Sequence, residues 1–318
     1  MTSQVMQLLS KIAHRSIARR PAGGFQTLQQ IRESSIGNVE NLMNRDVKIT
    51  GLATGFVGLD KMTKGLQKGE LTIIAAPLGM GSTAFAMNIA LNAAIHQNAI
   101  VGIFSLEMNK LTLLQRMLGS QTGLHIQRIV HGFLTQEDMG KVESAMEKLD
   151  AARVSIDDTT GVSLAGLRSR ARQLRKDQNG LDLIVVDALQ LMSANTLSKG
   201  RSAYENSIQD LSAISRGLRA LAKELNVPVI ATLQLPEIIR NCGGDRRPTL
   251  NDLRVHGSIE QDADLVIFIH REAYYCVDEE IAEADARTAE IIVAKHYNGP
   301  TRTFYLNFIA ACTLFGDL

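Results

Sequence analysis

A chain of 318 residues, 45% of them hydrophobic, can bury one substantial core with room for an N-terminal appendage, but hardly a second full domain. A formal net charge of +1 with 21% charged residues excludes a polyelectrolyte, so any nucleic-acid contact has to come from a local patch. Cys242, Cys276 and Cys312 are odd in number and widely spaced, which predicts reduced thiols in an intracellular compartment and offers no zinc pattern; no run approaches the roughly 18 apolar residues of a membrane span, so a soluble protein is expected.

Residues 1 to 32 carry Lys11, Arg15, Arg19, Arg20 and Arg32 and no acid, while Val5, Leu8, Leu9 and Ile12 share one helical face. Such a basic amphipathic helix fits an organelle transit peptide, a membrane-surface helix or a linker helix docked on a neighbouring subunit. The hinge-like Pro21-Ala22-Gly23-Gly24 favours the last. A second helix is expected from Thr27 to about Arg45, with Leu28, Ile31, Ile36, Val39 and Leu42 apolar. The expected division is therefore residues 1–46 as N-terminal linker helices and 47–318 as the main domain.

After a glycine-punctuated approach from Thr50 to Glu70, the stretch from Leu71 to Ala76 is short, apolar and Ile-rich, as a strand covered on both faces should be. Helical spacing resumes at Thr83, with Phe85, Ile89 and Ala93 about a turn apart up to Ala94. Between them Gly79, Met80, Gly81, Ser82 and Thr83 form a turn whose backbone N–H groups can approach an anion at the positive end of a helix, with Thr83 placed to reach a magnesium ion. The phosphate-loop pattern is G-x-x-x-x-G-K-[ST], whereas this window has Ala76 at the first glycine and Ser82 at the lysine. By itself it fits a phosphate loop and a plain strand-to-helix turn equally.

A strand from Ile100 to Ser105 follows, with Glu107 just past its carboxyl end, where an open α/β sheet would hold a catalytic carboxylate; the alternative is a charge at a helix N-terminus. A helix is expected from Leu111 to Ser120, and another from Thr135 to Ala151, opened by the capping pattern Thr135-Gln136-Glu137-Asp138. A short strand from Val154 to Asp157 precedes a helix from Ser163 to Lys176. Its Arg168, Arg170, Arg172, Arg175 and Lys176 are most simply a solvated surface, with a subunit or DNA contact as the other reading.

From Leu181 to Asp187 an apolar strand ends in an acid, the form of a magnesium-associated carboxylate, and a long helix runs from Tyr204 to Leu225. The next strand, Pro228 to Leu233, ends at Gln234, a neutral amide suited to sensing a terminal phosphate or simply to closing a strand. Strands from Glu290 to Ala294 and Arg302 to Phe308, joined through Asn298-Gly299-Pro300, give a hairpin. The predicted fold is α/β: a mostly parallel sheet between helices, extended by antiparallel strands at the C-terminal end.

Thr54-Gly55-Phe56, Phe104-Ser105-Leu106-Glu107-Met108, Asp187-Ala188-Leu189-Gln190-Leu191-Met192, Gly257-Ser258-Ile259-Glu260-Gln261-Asp262-Ala263-Asp264 and Asn298-Gly299-Pro300 occur in the order and spacing of one family. From about Gly24 to Phe308 the chain resembles the RecA-like motor domain, a P-loop NTPase core, of the DnaB-family replicative helicases. The resemblance implies a six-membered ring on single-stranded DNA, moving 5′ to 3′ and hydrolysing ATP or another NTP with Mg²⁺ at subunit interfaces. It implies Glu107 as the base that activates water, Asp187 as the acid holding magnesium through water, Thr83 as the magnesium hydroxyl and Gln234 as the phosphate sensor. Arg254 and Gly257 match the loop that grips DNA phosphates, although Val255 and His256 replace the acid usual after that arginine.

Lys295 matches a cation that acts on the neighbouring subunit's nucleotide, while Tyr297 replaces the arginine finger that accompanies it. An arginine finger is worth roughly 10³ to 10⁵ in rate, and with the lysine of the phosphate loop also missing, weak nucleotide binding and very slow turnover are expected. The family's N-terminal domain is expected to be absent, since only the basic helix precedes Gly24. The alternative function is a non-catalytic DNA-binding or assembly factor that joins or regulates an active helicase. A loader or primase are further partners implied, no membrane is, and the location implied is cytoplasmic, or the chain phage-encoded.

Overall fold

Leu71–Pro77 forms β1, all seven of its residues buried. The computed structural model describes residue 25 and residues 27–30, 49–192, 203–236, 246–275 and 287–318; for 203–209 the backbone alone is described. The helix expected before Pro21, most of the one expected up to Arg45, residues 193–202, Cys242 and Cys276 lie outside these residues. The chain divides into two units, residues 1–48 and 49–318, and the second carries the site.

Alternate residues of β1 feed two separate cores. Ile74 and Ala76 pack into one cluster and Leu71, Ile73 and Ala75 into the other, so the strand is covered on both faces. The strands that join it are β2 (Val101–Ser105), β3 (Val154–Asp157), β4 (Leu183–Asp187), β5 (Val229–Leu235), β6 (Leu265–His270), β7 (Thr288–His296), β8 (Arg302–Ile309) and β9 (Leu314–Asp317). Among the described residues their order is β3-β2-β4-β5-β1-β6-β7-β8-β9. β1 to β6 run parallel, and β7, β8 and β9 each pair antiparallel with the strand before them. The mostly parallel sheet with an antiparallel C-terminal extension is therefore present.

The element boundaries follow local chemistry. Helix α1 (Val57–Thr63) precedes β1; α2 (Ser82–Gln97), α3 (Lys110–Thr122), α4 (Ile126–His131), α5 (Gln136–Ala151), α6 (Leu164–Asp177) and α7 (Ala203–Leu225) fall between the strands, and α8 (Leu250–Arg254) and α9 (Ile259–Asp262) precede β6. α5 opens on the reciprocal cap between Thr135 and Asp138 that the sequence announces, and α6 on Ser163. In α7, Leu211, Ile214, Leu218, Leu221, Ala222 and Leu225 recur every three or four residues and are buried.

α2 is buried nearly all round, which its periodicity alone does not suggest. Its outer face is covered by the C-terminal strands. Phe85 stacks on Phe56 at 4.9 Å and meets Phe315 edge-on at 5.1 Å, and Phe315 stacks on Phe308 at 4.3 Å. Asn88 locks the same contact, accepting from Phe315 N at 2.7 Å and donating to Thr313 O at 3.2 Å. The last strand of the chain thus holds the helix that follows the glycine turn.

β3, at the sheet edge, is only half-buried at all four positions, so unlike β1 it is not covered on both faces. The arginines of α6 do form a solvated surface, and they are paired there: Arg168 and Arg172 with Glu224, Arg170 with Asp157.

Candidate nucleotide and nucleic-acid sites

The turn after β1 takes a left-handed backbone at Gly79 (φ 80°) and Gly81 (φ 103°). A Cβ at Gly79 would fall 2.7 Å from the Tyr274 hydroxyl, and one at Gly81 3.1 Å from the Phe315 ring, so a side chain at either place would be strained by its backbone angle and crowd a neighbour. Gly81 caps α2, and Ser82, Thr83 and Ala84 of its first turn wall a cavity of about 420 Å³, within the usual range of small-ligand sites. First-turn amides have no acceptor within their own helix and favour an anion. Met80 departs from the expectation for the turn: its side chain is fully buried in the core and its amide donates to Pro77 O at 3.4 Å.

Glu107, Asp187 and Gln234 come from the ends of β2, β4 and β5, the carboxyl edge of the parallel sheet where open α/β folds take ligands. Glu107 and Gln234 line the cavity and are exposed. Asp187 is fully buried behind them. Its Oδ1 accepts from Thr83 Oγ1 at 2.8 Å and from Thr232 Oγ1 at 2.7 Å, while its Oδ2 has no protein partner. Burial pushes this carboxyl above its ordinary 3.8; the two hydroxyls oppose the shift, Glu107 adds to it and Arg116 counters it.

A buried carboxylate with one unpartnered oxygen is costly unless a cation satisfies it. Mg²⁺ is held by one or two carboxylates together with water and substrate phosphates. Thr83 and Asp187 beside the glycine turn supply that donor set, so the residues present fit the ion. The described residues contain no cluster of three or more His, Cys, Asp or Glu, which leaves no rival all-protein cage among them.

Two residues of this site escape sequence reasoning. Thr232 is buried in β5 with a hydroxyl shared between Asp187 and the Ala188 amide, which donates to it at 2.8 Å; the only signal is a polar residue within an apolar strand. Arg116, on α3, is the one cation among the described residues lining the cavity, and nothing in its helical position distinguishes it from a surface arginine.

Arg254 and Gly257 lie elsewhere, on the segment from α8 to α9. Arg254 is 65% exposed, with Nε 3.3 Å from Glu260 Oε1, and Gly257 has φ 98°. Lys295 does not line the cavity. Its Nζ donates to Glu260 O and Ala263 O at 2.6 Å each and to Gln261 O at 3.4 Å. Burial pulls its ammonium below the ordinary range. Tyr297 is 70% exposed at the end of the same hairpin.

A family model for the DnaB-like helicase C terminal domain matches residues 51–317. The chain belongs to that family. It is 44% identical over 300 residues to the replicative DNA helicase DnaB of Geobacillus stearothermophilus, covering 94% of this chain and 64% of that protein. It is 41% identical over 300 residues to the replicative DNA helicase DnaC of Bacillus subtilis (strain 168), with the same coverage. Among solved structures, one titled as an ATPase domain superposes with a TM-score of 0.80 at 33% identity, covering 91% of this chain and 98% of that one. A structure titled as a DnaB-like replicative helicase and its interactions with primase gives 0.80 at 30% identity, covering 99% and 71%. The chain thus spans just under two thirds of the length of the curated relatives. In this DnaB-like chain Thr83, Glu107 and Gln234 line the cavity with Asp187 behind them, and Ser82 stands at the lysine position of the phosphate-loop pattern.

Proposed function

We propose that this chain is a replicative-helicase motor domain that assembles as a homo-hexamer on single-stranded DNA and binds ATP or another NTP with Mg²⁺, but turns nucleotide over very slowly. The observation that carries the reading is the pairing of an intact acid with a missing cation: Asp187 Oδ2 stands buried and unpartnered beside Thr83, while residue 82 is a serine too short to reach a terminal phosphate.

Magnesium, when bound, neutralises phosphate charge. Thr83 and Asp187 would hold the ion, the glycine-turn amides would hold the phosphates, Glu107 would take the proton of the attacking water and Gln234 would contact the terminal phosphate. Arg116 supplies one positive charge in the same chain. Two others are missing, at Ser82 and at Tyr297, and phosphoryl transfer depends on neutralising charge rather than on covalent chemistry. Binding therefore outlasts catalysis.

A second reading, a subunit that joins or regulates an active helicase, is favoured by the 70% exposure of Tyr297. In a mixed ring this chain would offer a neutral phenol to its neighbour's nucleotide. A loader and primase are further partners of either assembly, with the cytoplasm as its location. The test is direct titration of labelled ATP with and without Mg²⁺. Weak binding that disappears with EDTA supports the proposal, and binding indifferent to Mg²⁺ contradicts it.

A further inference from the structure

The hairpin between β7 and β8 turns at the end of the sheet opposite the cavity. His296, just before its tip, pairs with Leu265 at the start of β6; β6 runs parallel to β1, and the glycine turn follows the far end of β1. β1 is seven residues long, so at roughly 3.3 Å per residue about 20 Å separates the tip from that turn. Residue 297 lies too far from its own cavity to act there, and only a neighbouring copy can offer it a nucleotide.

Two contacts tie the tip to the body of the domain. Tyr297 N donates to Asp264 O at 2.8 Å, and Asn298 Nδ2 donates to Glu70 Oε1 at 2.8 Å. Both acceptors stand at strand entries, Glu70 directly before β1 and Asp264 directly before β6. The entries are fixed to each other and to their surroundings: Leu71 N donates to Asp264 Oδ2 at 3.0 Å, Val229 N of β5 donates to Glu70 O at 3.0 Å, and Arg219 of α7 pairs with Asp264 Oδ1 at 2.6 Å.

Only the second contact uses a side chain of the tip. Asn298 is exposed and Glu70 half-buried, so a rigid group holds a solvated turn. Burial and the like charge of Asp264 raise the Glu70 carboxyl above its ordinary 4.5, while the Asn298 amide and Arg219 oppose the rise. An exposed turn left with a single main-chain bond opens readily, and an ionised acceptor makes the added bond stronger than a neutral one.

We propose that Glu70 is a positioning residue for catalysis between subunits: through Asn298 it fixes the tip of the β7–β8 hairpin, and with it the reach of residue 297 toward a neighbouring copy's nucleotide. This rests on the reading of the chain as a ring-forming motor domain. The same contact steadies Lys295, two residues earlier on the hairpin, for the role its position implies.

The test pairs hydrogen exchange at the tip with turnover. Glu70→Ala, Asn298→Asp and the combination Glu70→Gln, Asn298→Asp are made in the full chain and again in its Ser82→Lys, Tyr297→Arg variant. Glu70→Ala is expected to speed exchange of the Tyr297 amide about tenfold, the scale of one charge-assisted hydrogen bond, with the melting temperature nearly unchanged. Asn298→Asp sets two carboxylates against each other and should do at least as much. Glu70→Gln with Asn298→Asp reverses donor and acceptor and should restore slow exchange.

In the Ser82→Lys, Tyr297→Arg background, Glu70→Ala should lower kcat at least about tenfold with KM unchanged, since a displacement of about 1 Å can cost 10²-fold. The reversed pair should recover it. Unchanged exchange at Tyr297 in Glu70→Ala overturns the proposal, as does faster exchange that leaves kcat untouched in an active background. If Ser82→Lys, Tyr297→Arg itself shows no turnover, the reading of the nucleotide site falls, and exchange in the parent chain still decides whether Glu70 holds the tip.

Discussion

Thr83 Oγ1 donates to Asp187 Oδ1 at 2.8 Å, joining residues 104 positions apart across the mouths of β1 and β4. The contact closes the floor of the cavity before any ion arrives. Thr232 adds a second hydroxyl to the same oxygen, so the carboxylate is held in one orientation with Oδ2 as its free lobe. A group so placed is set for a cation and is a burden without one.

That burden has a pH signature. Asp187 is raised above 3.8 in the fold, chiefly by burial. A raised carboxyl favours the fold most below its unfolded value and loses that contribution as pH rises through the folded one, so at neutral pH the ligand-free fold carries a buried charge. Asp187→Asn should therefore raise the melting temperature of the ligand-free chain at pH 7, by roughly 2–4 °C if it relieves about 1 kcal/mol. The gain should shrink toward pH 4, and the Mg²⁺-dependent part of ATP binding should vanish. Melting curves across pH with and without Mg-ATP check both.

Arg116 is the only cation among the described residues of the cavity lining, half-buried and without an ion pair among the described contacts. Replacing it with alanine should lower ATP affinity by about tenfold, the scale of one charge-assisted hydrogen bond. Melting temperature should change little. A calorimetric titration in which Arg116→Ala binds ATP as the parent chain does would remove Arg116 from the site.

The aromatic cover over α2 makes a different prediction. Phe315 is buried between Phe85 and Phe308, and truncation to alanine should cost about 3–5 kcal/mol. Because a Cβ on Gly81 would already touch that ring, the glycine turn should loosen as well. Denaturant unfolding gives the stability loss, and proteolysis near residues 78–82 should become faster.

The sequence makes some of this site legible and hides the rest for physical reasons. Asp187, Glu107 and Gln234 can be placed together in advance because the carboxyl ends of parallel strands share one edge, whatever the intervening helices do. The glycine turn is readable because Gly79 and Gly81 need backbone angles other residues avoid. Thr232 and Arg116 are hidden, since convergence of a strand interior and a helix side on one cavity depends on packing that no spacing rule encodes. β6 is equally quiet: its apolar run follows directly on Asp264 without a turn signal, although it pairs with β1. Lys295 is legible by its position in the hairpin, whereas its carbonyl partners, 32 to 35 residues away, are not.

In the proposed function the scaffold of a DNA motor persists while the charges that drive its chemistry are gone. Steady-state ATP hydrolysis with single-stranded DNA, measured for the parent chain and for the Ser82→Lys, Tyr297→Arg double variant, tests this most directly. Turnover near background is expected for the parent, with a gain of at least about 10³ in the double variant, the lower end of what an arginine finger supplies. Hydrolysis by the parent chain at an ordinary helicase rate, roughly 1–100 per second as for other phosphoryl-transfer enzymes, would contradict it.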